Sequence, residues 1–124
     1  MTTKILIADD EPNILISLEF LMKREGYEVL LARDGQEALD MLRKERPRLL
    51  LLDVMMPRKT GFEVCQEVRN DDEIRATLIL MLTAKGRETD VVKGLALGAN
   101  AYMTKPFSTR ELVQKVREML EAAP

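Results

Sequence analysis

The chain has 124 residues, of which 46% are hydrophobic and 32% are charged. This composition is typical of one soluble globular domain and not of a disordered, collagenous or disulfide-stabilised protein. The net charge is −2, so the domain lacks the positive excess that direct nucleic-acid binding requires. The longest apolar run, 78–82, is far shorter than a membrane span, and no export signal is visible. We therefore expect a cytoplasmic protein that binds neither membranes nor nucleic acid.

The chain contains one cysteine, Cys65, and no histidine. A single cysteine cannot form an internal disulfide. Cys65 lies among apolar residues with helical spacing, which favours a buried thiol over a reactive one. Without histidine, histidine acid–base catalysis and histidine metal ligation are both excluded. Any metal bound here must be held mainly by oxygen atoms.

Five short apolar segments of β type alternate with longer amphipathic segments, which is the pattern of a parallel sheet with helical crossovers. Most of the short segments are apolar throughout rather than alternating, as expected for strands that are covered on both faces. The sequence therefore predicts one α/β domain. The predicted strands are 4–8, 27–32, 49–53, 77–82 and a weaker 101–104.

Apolar residues at three- and four-residue spacing predict a helix after each strand. Pro12 suits the first turn of the first helix, where a missing N–H group costs nothing. Asp34 and Ser108 stand three residues before Glu37 and Glu111, which is the spacing of a capping box. The predicted helices are 12–25, a segment from Asp34 to 45, 61–70, 88–97 and a last one that begins at Ser108.

Chemically active residues follow the strands at the carboxyl edge of the predicted sheet, where open α/β sheets bind ligands. Asp9 and Asp10 follow the first strand, Asp53 ends the third, and Thr83 and Lys105 follow the last two. Three carboxylates so close together would repel one another strongly, Lys105 is the one obvious cation that could offset them, and a divalent cation would resolve this. Few, hard oxygen ligands suit Mg²⁺ or Mn²⁺ better than Ca²⁺. A metal, a lysine and a hydroxyl can neutralise a transferring phosphoryl group, so Asp53 is a candidate nucleophile.

Each of these residues also has an ordinary structural explanation. The two acids before Pro12 could cap the helix and interact with its dipole. Asp53 and Thr83 could simply end strands, and Lys105 could pair with any acid. The functional interpretation is favoured because acids, hydroxyl and lysine all fall at one edge of a sheet that is otherwise apolar.

Five motifs together resemble the receiver domain of two-component response regulators, and the match extends along the whole chain. They are 7–11 (IADDE), 53–57 (DVMMP) with Gly61, 83–84 (TA), 98–102 (GANAY) and 105–107 (KPF). The resemblance implies a doubly wound, flavodoxin-like (βα)5 sandwich whose five-stranded parallel sheet has the order 2-1-3-4-5. It also implies a single receiver domain over 1–124, which either stands alone or belongs to a longer protein with an output domain.

The resemblance implies that Asp53 accepts a phosphoryl group. The donor would be a phosphohistidine of a sensor histidine kinase or histidine phosphotransfer protein, or a small phosphodonor. Asp10 and Asp53 would bind Mg²⁺ directly, Asp9 largely through water, and the backbone carbonyl of Met55 would complete the protein ligands. Such a domain is a phosphoacceptor rather than an enzyme, although it assists its own phosphorylation and its slow self-dephosphorylation.

The resemblance also implies a conformational switch. Lys105 would contact one phosphoryl oxygen and Thr83 another, and Tyr102 would turn inward as Thr83 vacates space. The bond before Pro106 is cis in the family, and only before proline is the cis form inexpensive. The partner surface, for an output domain or a protein partner, would include Asp90, Lys93, Tyr102, Arg110, Glu111 and Lys115.

Some positions vary within the family. Receivers joined to winged-helix DNA-binding domains usually carry an acidic pair where this chain has Asn100 and Ala101, so dimerisation through charges is not expected. Val91 and Leu97 instead offer either an apolar partner patch or half-buried packing. Met55 and Lys85 stand two residues after Asp53 and Thr83, where family members tune water access, and bulky Met55 predicts slow dephosphorylation.

Three other functions compete with this interpretation. An aspartyl-phosphate hydrolase would carry the motif Asp-x-Asp after its first strand, whereas Val54 and Met55 follow Asp53 in this chain. A flavodoxin-like cofactor binder would need a Ser/Thr/Gly-rich phosphate loop in place of residues 9–11. A receiver-like interaction module that is not phosphorylated would normally lack one of the site residues, and all of them are present.

Overall fold

The structure, a computed structural model, describes residues 2–84 and 86–122. The expectation about Lys85 lies outside the described residues. Five strands and five helices alternate along these residues and confirm all ten predicted elements, with ends that differ by at most two residues. The strands are β1 (Lys4–Ala8), β2 (Glu28–Ala32), β3 (Leu49–Asp53), β4 (Leu78–Ala84) and β5 (Ala101–Lys105). The helices are α1 (Pro12–Arg24), α2 (Gly35–Glu45), α3 (Gly61–Arg69), α4 (Glu88–Ala96) and α5 (Thr109–Ala122).

The strands form one parallel sheet in the order β2-β1-β3-β4-β5, as the resemblance implied. The chain places β2 on one side of β1 and then β3 on the other side. Strands β1 and β3 are therefore neighbours in the sheet, although about 40 residues separate them in sequence. Ala8 of β1 is in register with Leu52 of β3. The next residues, Asp9 and Asp53, therefore lie side by side at the carboxyl edge, at the point where such folds bind ligands.

Helices cover both faces of the sheet, which explains why the strands are apolar throughout. Leu50 and Leu52 pack toward α2 and α3, whereas Leu49 and Leu51 pack toward α1 and α5. Cys65 is fully buried in the first of these cores, as predicted. None of the described helices is long and apolar enough to cross a bilayer.

Helix α4 is attached to the sheet differently from the others. Gly94 is the one buried residue among the nine of α4, all of which are described. A side chain at Gly94 would collide with the sulfur of Met81 on β4, so the glycine allows the helix backbone to lie directly against the strand. Helix α4 therefore has little buried apolar surface of its own.

The fourth and fifth strands continue further than predicted. The predicted β4 stopped at Leu82, but the strand continues through Thr83 to Ala84, paired with Thr104 and Lys105 of β5. Central strands gain hydrogen bonds on both sides, and β-branched Thr83 fits a strand well. Thr83 and Lys105 are thus held by the sheet itself rather than by the loops beyond it.

Candidate functional site

Residues from three strands and from the loop after β1 meet at the carboxyl edge of the sheet. Asp9 follows β1 and is fully buried, Asp53 ends β3 with 7% of its surface exposed, and Thr83 on β4 is 1% exposed. Asp10 is exposed in the loop before α1, and Lys105 closes β5. All five residues predicted to carry the chemistry are therefore close to one another.

The three carboxylates form one cluster. Asp9, Asp10 and Asp53 can each offer one oxygen, and these oxygens all lie within 4.8 Å of one another. Asp9 is fixed in place because its Oδ1 accepts a hydrogen bond of 3.0 Å from the backbone N–H of Glu11. Three hard oxygen donors that are so close, two of them on buried residues, fit a small divalent cation such as Mg²⁺.

Lys105 bridges two of the carboxylates. Its Nζ donates to Asp9 Oδ2 at 2.9 Å and to Asp53 Oδ1 at 3.3 Å. Burial lowers the pKa of Lys105, but the hydrogen bonds and negative charges of Asp9 and Asp53 outweigh burial and leave this pKa above its ordinary value. Lys105 is therefore charged at neutral pH, yet one cation does not balance three carboxylates.

The excess negative charge of this cluster affects the pKa of Asp53. Burial, followed by repulsion from Asp9, raises the pKa of Asp53 to about 6, and Lys105 offsets only part of that rise. A carboxylate acts as a nucleophile only in its ionised form. A divalent cation beside Asp53 would favour the ionised form, since bound cations are the largest local charges in such sites.

Thr83 is unusual among the described buried residues because its Oγ1 has no hydrogen-bond partner. A buried, unpaired hydroxyl is unfavourable in a folded protein and therefore requires an explanation. Thr83 lies on β4, next to the strand that ends at Asp53. A ligand bound at Asp53 could therefore supply the missing hydrogen-bond partner. An oxygen-rich group placed over Asp53 could accept this hydrogen bond.

Gly61 brings the start of α3 against the backbone behind Asp53. Its N–H donates to the carbonyl of Val54 at 2.8 Å, and a Cβ at this position would lie 2.5 Å from the carbonyl oxygen of Asp53. Thr60 and Glu63 then form a full reciprocal capping box, whose Thr-x-x-Glu spacing was a signal that the sequence predictions had overlooked. The backbone around Asp53 is thus rigidly fixed.

An open cavity of about 320 Å³ lies over Asp53. Its wall includes Asp10, Lys105 and the side chain of Met55, which is 65% exposed. Arg87 also lines this cavity but was not among the predicted site residues. Its place four residues after Thr83, at the same edge of the sheet, was the signal available for it.

A second cavity, of about 330 Å³, lies between Thr83 and Tyr102. Tyr102 is 45% exposed and therefore points outward. The Lys105–Pro106 peptide bond is cis, as the resemblance implied. There is room beside Thr83 for a large side chain to move inward.

The predicted partner surface is only partly as expected. Asp90 was expected to face outward, but its side chain is 13% exposed because Arg87 pairs with it at 2.9 Å. Lys115 is half-buried, and the Nζ of Lys93 lies 4.5 Å from the centre of the Phe62 ring, so this lysine turns toward α3. The predicted partner residues that are exposed are Lys93, Tyr102, Arg110 and Glu111.

The apolar residues of α4 resolve the alternative left open for this helix. Leu97 packs against the core and Val91 is half-buried, so both are packing residues. The exposed apolar side chains of α4 are instead Val92, at 68%, and Leu95, at 43%.

A sequence model of the family described as response regulator receiver domain matches residues 5–117. The chain belongs to this family. A response regulator from Chloroflexus aurantiacus is 37% identical and has a TM-score of 0.93, over 98% of this chain and 99% of that one. The chemotaxis response regulator CheY4 of Vibrio cholerae is 35% identical with a TM-score of 0.89, over 95% and 98%. The signal receiver domain of a histidine kinase from Syntrophus aciditrophicus is 31% identical with a TM-score of 0.90, over 97% and 91%.

The protein is thus a receiver domain of two-component signalling, with the flavodoxin-like fold shared by these relatives. Receiver domains are signalling domains that interact with histidine kinases and output domains, and they bind Mg²⁺ at an acidic pocket. In this receiver domain the cluster of Asp9, Asp10 and Asp53 has the composition of such a pocket. Family membership argues against the hydrolase and the flavodoxin-like cofactor binder.

Proposed function

We propose that this receiver domain accepts a phosphoryl group on Asp53 in a Mg²⁺-dependent reaction and thereby changes the surface formed by α4, β5 and α5. The observation that supports this proposal is the environment of Asp53. Its carboxylate is nearly buried, lies in a cluster with Asp9 and Asp10, and accepts a hydrogen bond from Lys105 below an open cavity. We also propose that the domain is cytoplasmic, as its sequence predicts.

The proposed reaction transfers a phosphoryl group to a carboxylate. A carboxylate oxygen of Asp53 forms a bond to phosphorus while the bond from phosphorus to its donor breaks, which leaves an acyl phosphate on Asp53. The donor would be a phosphohistidine of a sensor histidine kinase or of a histidine phosphotransfer protein, or a small phosphodonor. The open cavity over Asp53 admits donors of either size.

Asp10 and Asp53 would hold Mg²⁺ directly, with Asp9 bound largely through water and the carbonyl of Met55 as a further ligand. The ion, for which Mn²⁺ could substitute, supplies positive charge beside the transferred group. Lys105 would leave its hydrogen bond with Asp53 to contact a phosphoryl oxygen. Because Lys105 also pairs with fully buried Asp9 at 2.9 Å, its position would be retained during this exchange.

The proposed switch begins at Thr83. Its unpaired Oγ1 would gain an acceptor in the phosphoryl group, and a hydrogen bond to a charged group stabilises by roughly 1.5–3 kcal/mol. As Thr83 moved toward Asp53, Tyr102 would enter the cavity between them. The phosphoryl group would thereby shift an existing equilibrium toward the inward arrangement. An output domain or protein partner would then recognise the altered surface.

Intact-mass measurement after incubation with Mg²⁺ and acetyl phosphate or phosphoramidate tests the proposed function. We expect the wild-type domain to gain one phosphoryl group, Asp53→Asn to gain none, and chelation of Mg²⁺ to prevent the gain. Asp72→Asn is the matched control, because Asp72 is a carboxylate whose side chain is 90% exposed outside the cavity, and this variant should be phosphorylated normally.

Two results would contradict the proposal. One is an unmodified wild-type domain that is folded and binds Mg²⁺, which would favour a receiver-like interaction module that is not phosphorylated. The other is a phosphoryl group on Asp53→Asn, which would place the acceptor elsewhere.

A further inference from the structure

Arg87 and Asp90 form an ion pair at the mouth of the cavity over Asp53. Arg87 Nε lies 2.9 Å from Asp90 Oδ2, and Arg87 Nη2 lies 3.4 Å from Asp90 Oδ1. Both residues line the cavity together with Asp53. The arginine side chain is 55% exposed, whereas that of Asp90 is 13% exposed. The guanidinium is therefore the freer member of the pair.

The cavity lacks positive charge for a phosphorylated Asp53. Among the described residues that line it, Lys105 and Arg87 are the two cations, and Lys105 is already paired with Asp9 and Asp53. A divalent ion and one lysine balance three carboxylates, but a phosphoryl group carries a charge of about −1.5 to −2 and three strong acceptor oxygens. Replacement of one carboxylate charge by this group leaves about one negative charge unbalanced.

Arg87 is well suited to supply the missing charge. A guanidinium presents its donors in a planar fork that matches phosphate oxygens. Its present pairing with Asp90 is weak, because ion pairs with an exposed partner contribute little. Asp90 is the third residue of α4, where the helix dipole favours a negative charge. The carboxylate therefore stays stabilised after the arginine has left.

We infer that Arg87 is a phosphoryl-binding residue that exchanges Asp90 for the phosphoryl group when Asp53 is phosphorylated. This inference rests on the proposed function and adds a residue to its binding site. Asp90 then acts as a competitor that holds the arginine in the unphosphorylated state. Because Arg87 also lines the second cavity, with Thr83 and Tyr102, the same exchange changes the wall of the space into which Tyr102 would move.

Binding of beryllium fluoride (BeF₃⁻), an anionic analogue of the phosphoryl group, tests the inference in the presence of Mg²⁺. We expect Arg87→Gln to bind it roughly tenfold more weakly than wild type, which is the factor supplied by one hydrogen bond to a charged group. Arg87→Lys should recover part of the loss. Asp90→Asn, which frees the arginine, should bind about threefold more tightly. Opposite effects at two paired residues are not expected from a purely structural role.

Three further measurements separate direct contact from a general change in charge. Arg75→Gln removes an equivalent charge from another i,i+3 pair, with Asp72 at 3.4 Å, whose arginine is 66% exposed, and it should bind the analogue as wild type does. The Nε–H signal of Arg87 in ¹H–¹⁵N spectra should shift when the analogue binds. Mg²⁺ affinity should not fall in Arg87→Gln, because loss of a positive charge does not weaken cation binding.

The outcomes distinguish the inference from the proposed function. If wild type binds the analogue and Arg87→Gln binds it as tightly as Arg75→Gln does, the inference is overturned and the proposed function stands. If Asp90→Asn binds no more tightly than wild type, the exchange is overturned. If wild type fails to bind, or if Asp53→Asn binds equally well, the proposed function fails and the inference fails with it.

Discussion

Asp53 illustrates a conflict between folding and chemistry at a single residue. The fold buries its carboxylate beside Asp9, and the resulting rise of its pKa to about 6 means that the ionised form destabilises the metal-free protein at neutral pH. The unfolded chain, in which this pKa has its ordinary value of 3.8, carries no such penalty. Below pH 3.8 the carboxyl group is protonated in both states, and the penalty is complete above about pH 6.

We therefore predict that Asp53→Asn stabilises the metal-free protein, and that it does so more strongly as pH rises. A shift from 3.8 to about 6 corresponds to an upper limit of about 3 kcal/mol at pH 7.5, and the advantage should grow by about 1 kcal/mol between pH 5 and pH 7.5. Urea unfolding in the presence of a chelator at both pH values measures this difference. A pH-independent advantage would show that charge on Asp53 is not its cause, and exposed Asp72→Asn serves as the control.

Met55 lines the cavity over Asp53 with an apolar side chain that is 65% exposed. We predict that Met55→Asn loses its phosphoryl group at least roughly threefold faster, because a small polar side chain admits and orients the attacking water. Intact mass at intervals after removal of the phosphodonor measures the rate. Ile16→Asn, which changes a 63% exposed side chain on α1, should leave the rate unchanged, and an equal rate in Met55→Asn would refute this role.

At the level of elements, Arg69 connects the end of α3 to the residue before β4 and to the loop before β5. Its guanidinium donates to the carbonyls of Gly98 at 2.9 Å and Thr77 at 2.8 Å, and to Asn100 Oδ1 at 2.8 Å. Asn100 Oδ1 also accepts from the backbone N–H of Ile79 at 2.7 Å. Asn100, at a position where some receivers carry an acidic residue, therefore has a structural role in this chain.

Gly98 is required by this arrangement. It has a φ of +112°, and a Cβ at this position would lie 2.6 Å from Cγ of Arg69. We predict that Gly98→Ala lowers the free energy of unfolding by about 2–4 kcal/mol, from backbone strain plus displacement of the arginine. Gly26→Ala is the matched control, because Gly26 has a φ of +93° with nothing within 4 Å, and it should cost about 1 kcal/mol. Equal losses, measured by urea unfolding, would exclude the contribution of Arg69.

Sequence patterns predicted the elements well because they depend on local chemistry. The apolar run of β3 and the Asp34 side chain that accepts from the N–H of Glu37 at 2.8 Å are both local features. The convergence of Asp9 and Asp53 followed from the rule for strand edges. The Arg87–Asp90 pair and the contact of Lys93 with Phe62 were not predicted. Long, charged side chains choose between partners according to distances that only the folded structure provides.

At the level of the whole molecule, the acidic cluster couples metal binding to folding. The oxygens of Asp9, Asp10 and Asp53 come within 4.8 Å of one another because β1 and β3 are neighbours in the sheet. The unfolded chain separates them. A cation that binds only the folded state stabilises it, and the stabilisation grows with the logarithm of the cation concentration above its Kd.

We predict that Mg²⁺, at 100 times its Kd at pH 7.5, raises the free energy of unfolding by about 2.7 kcal/mol. The same Mg²⁺ concentration should give a smaller gain at pH 5, because Asp53, whose pKa is about 6, is then protonated and binds metal poorly. Thermal unfolding with and without Mg²⁺ at constant ionic strength measures it. Asp10→Asn is the informative variant because Asp10 is exposed, so its loss should reduce the gain without harming the metal-free fold. A gain that persists in Asp10→Asn would place the ion elsewhere.

Lys105 stands on the last strand at one edge of the sheet, yet it is hydrogen-bonded to Asp9, which follows β1 and therefore lies beyond β4 and β3. A nascent chain that has not yet added β4 and β5 already contains the acidic residues but neither the lysine nor Thr83. Signalling competence would therefore be acquired only when the last strand docks. If Asp53 is phosphorylated as proposed, a copy in which the last strand has not docked would lack Lys105 and Thr83 at the site and would not be phosphorylated.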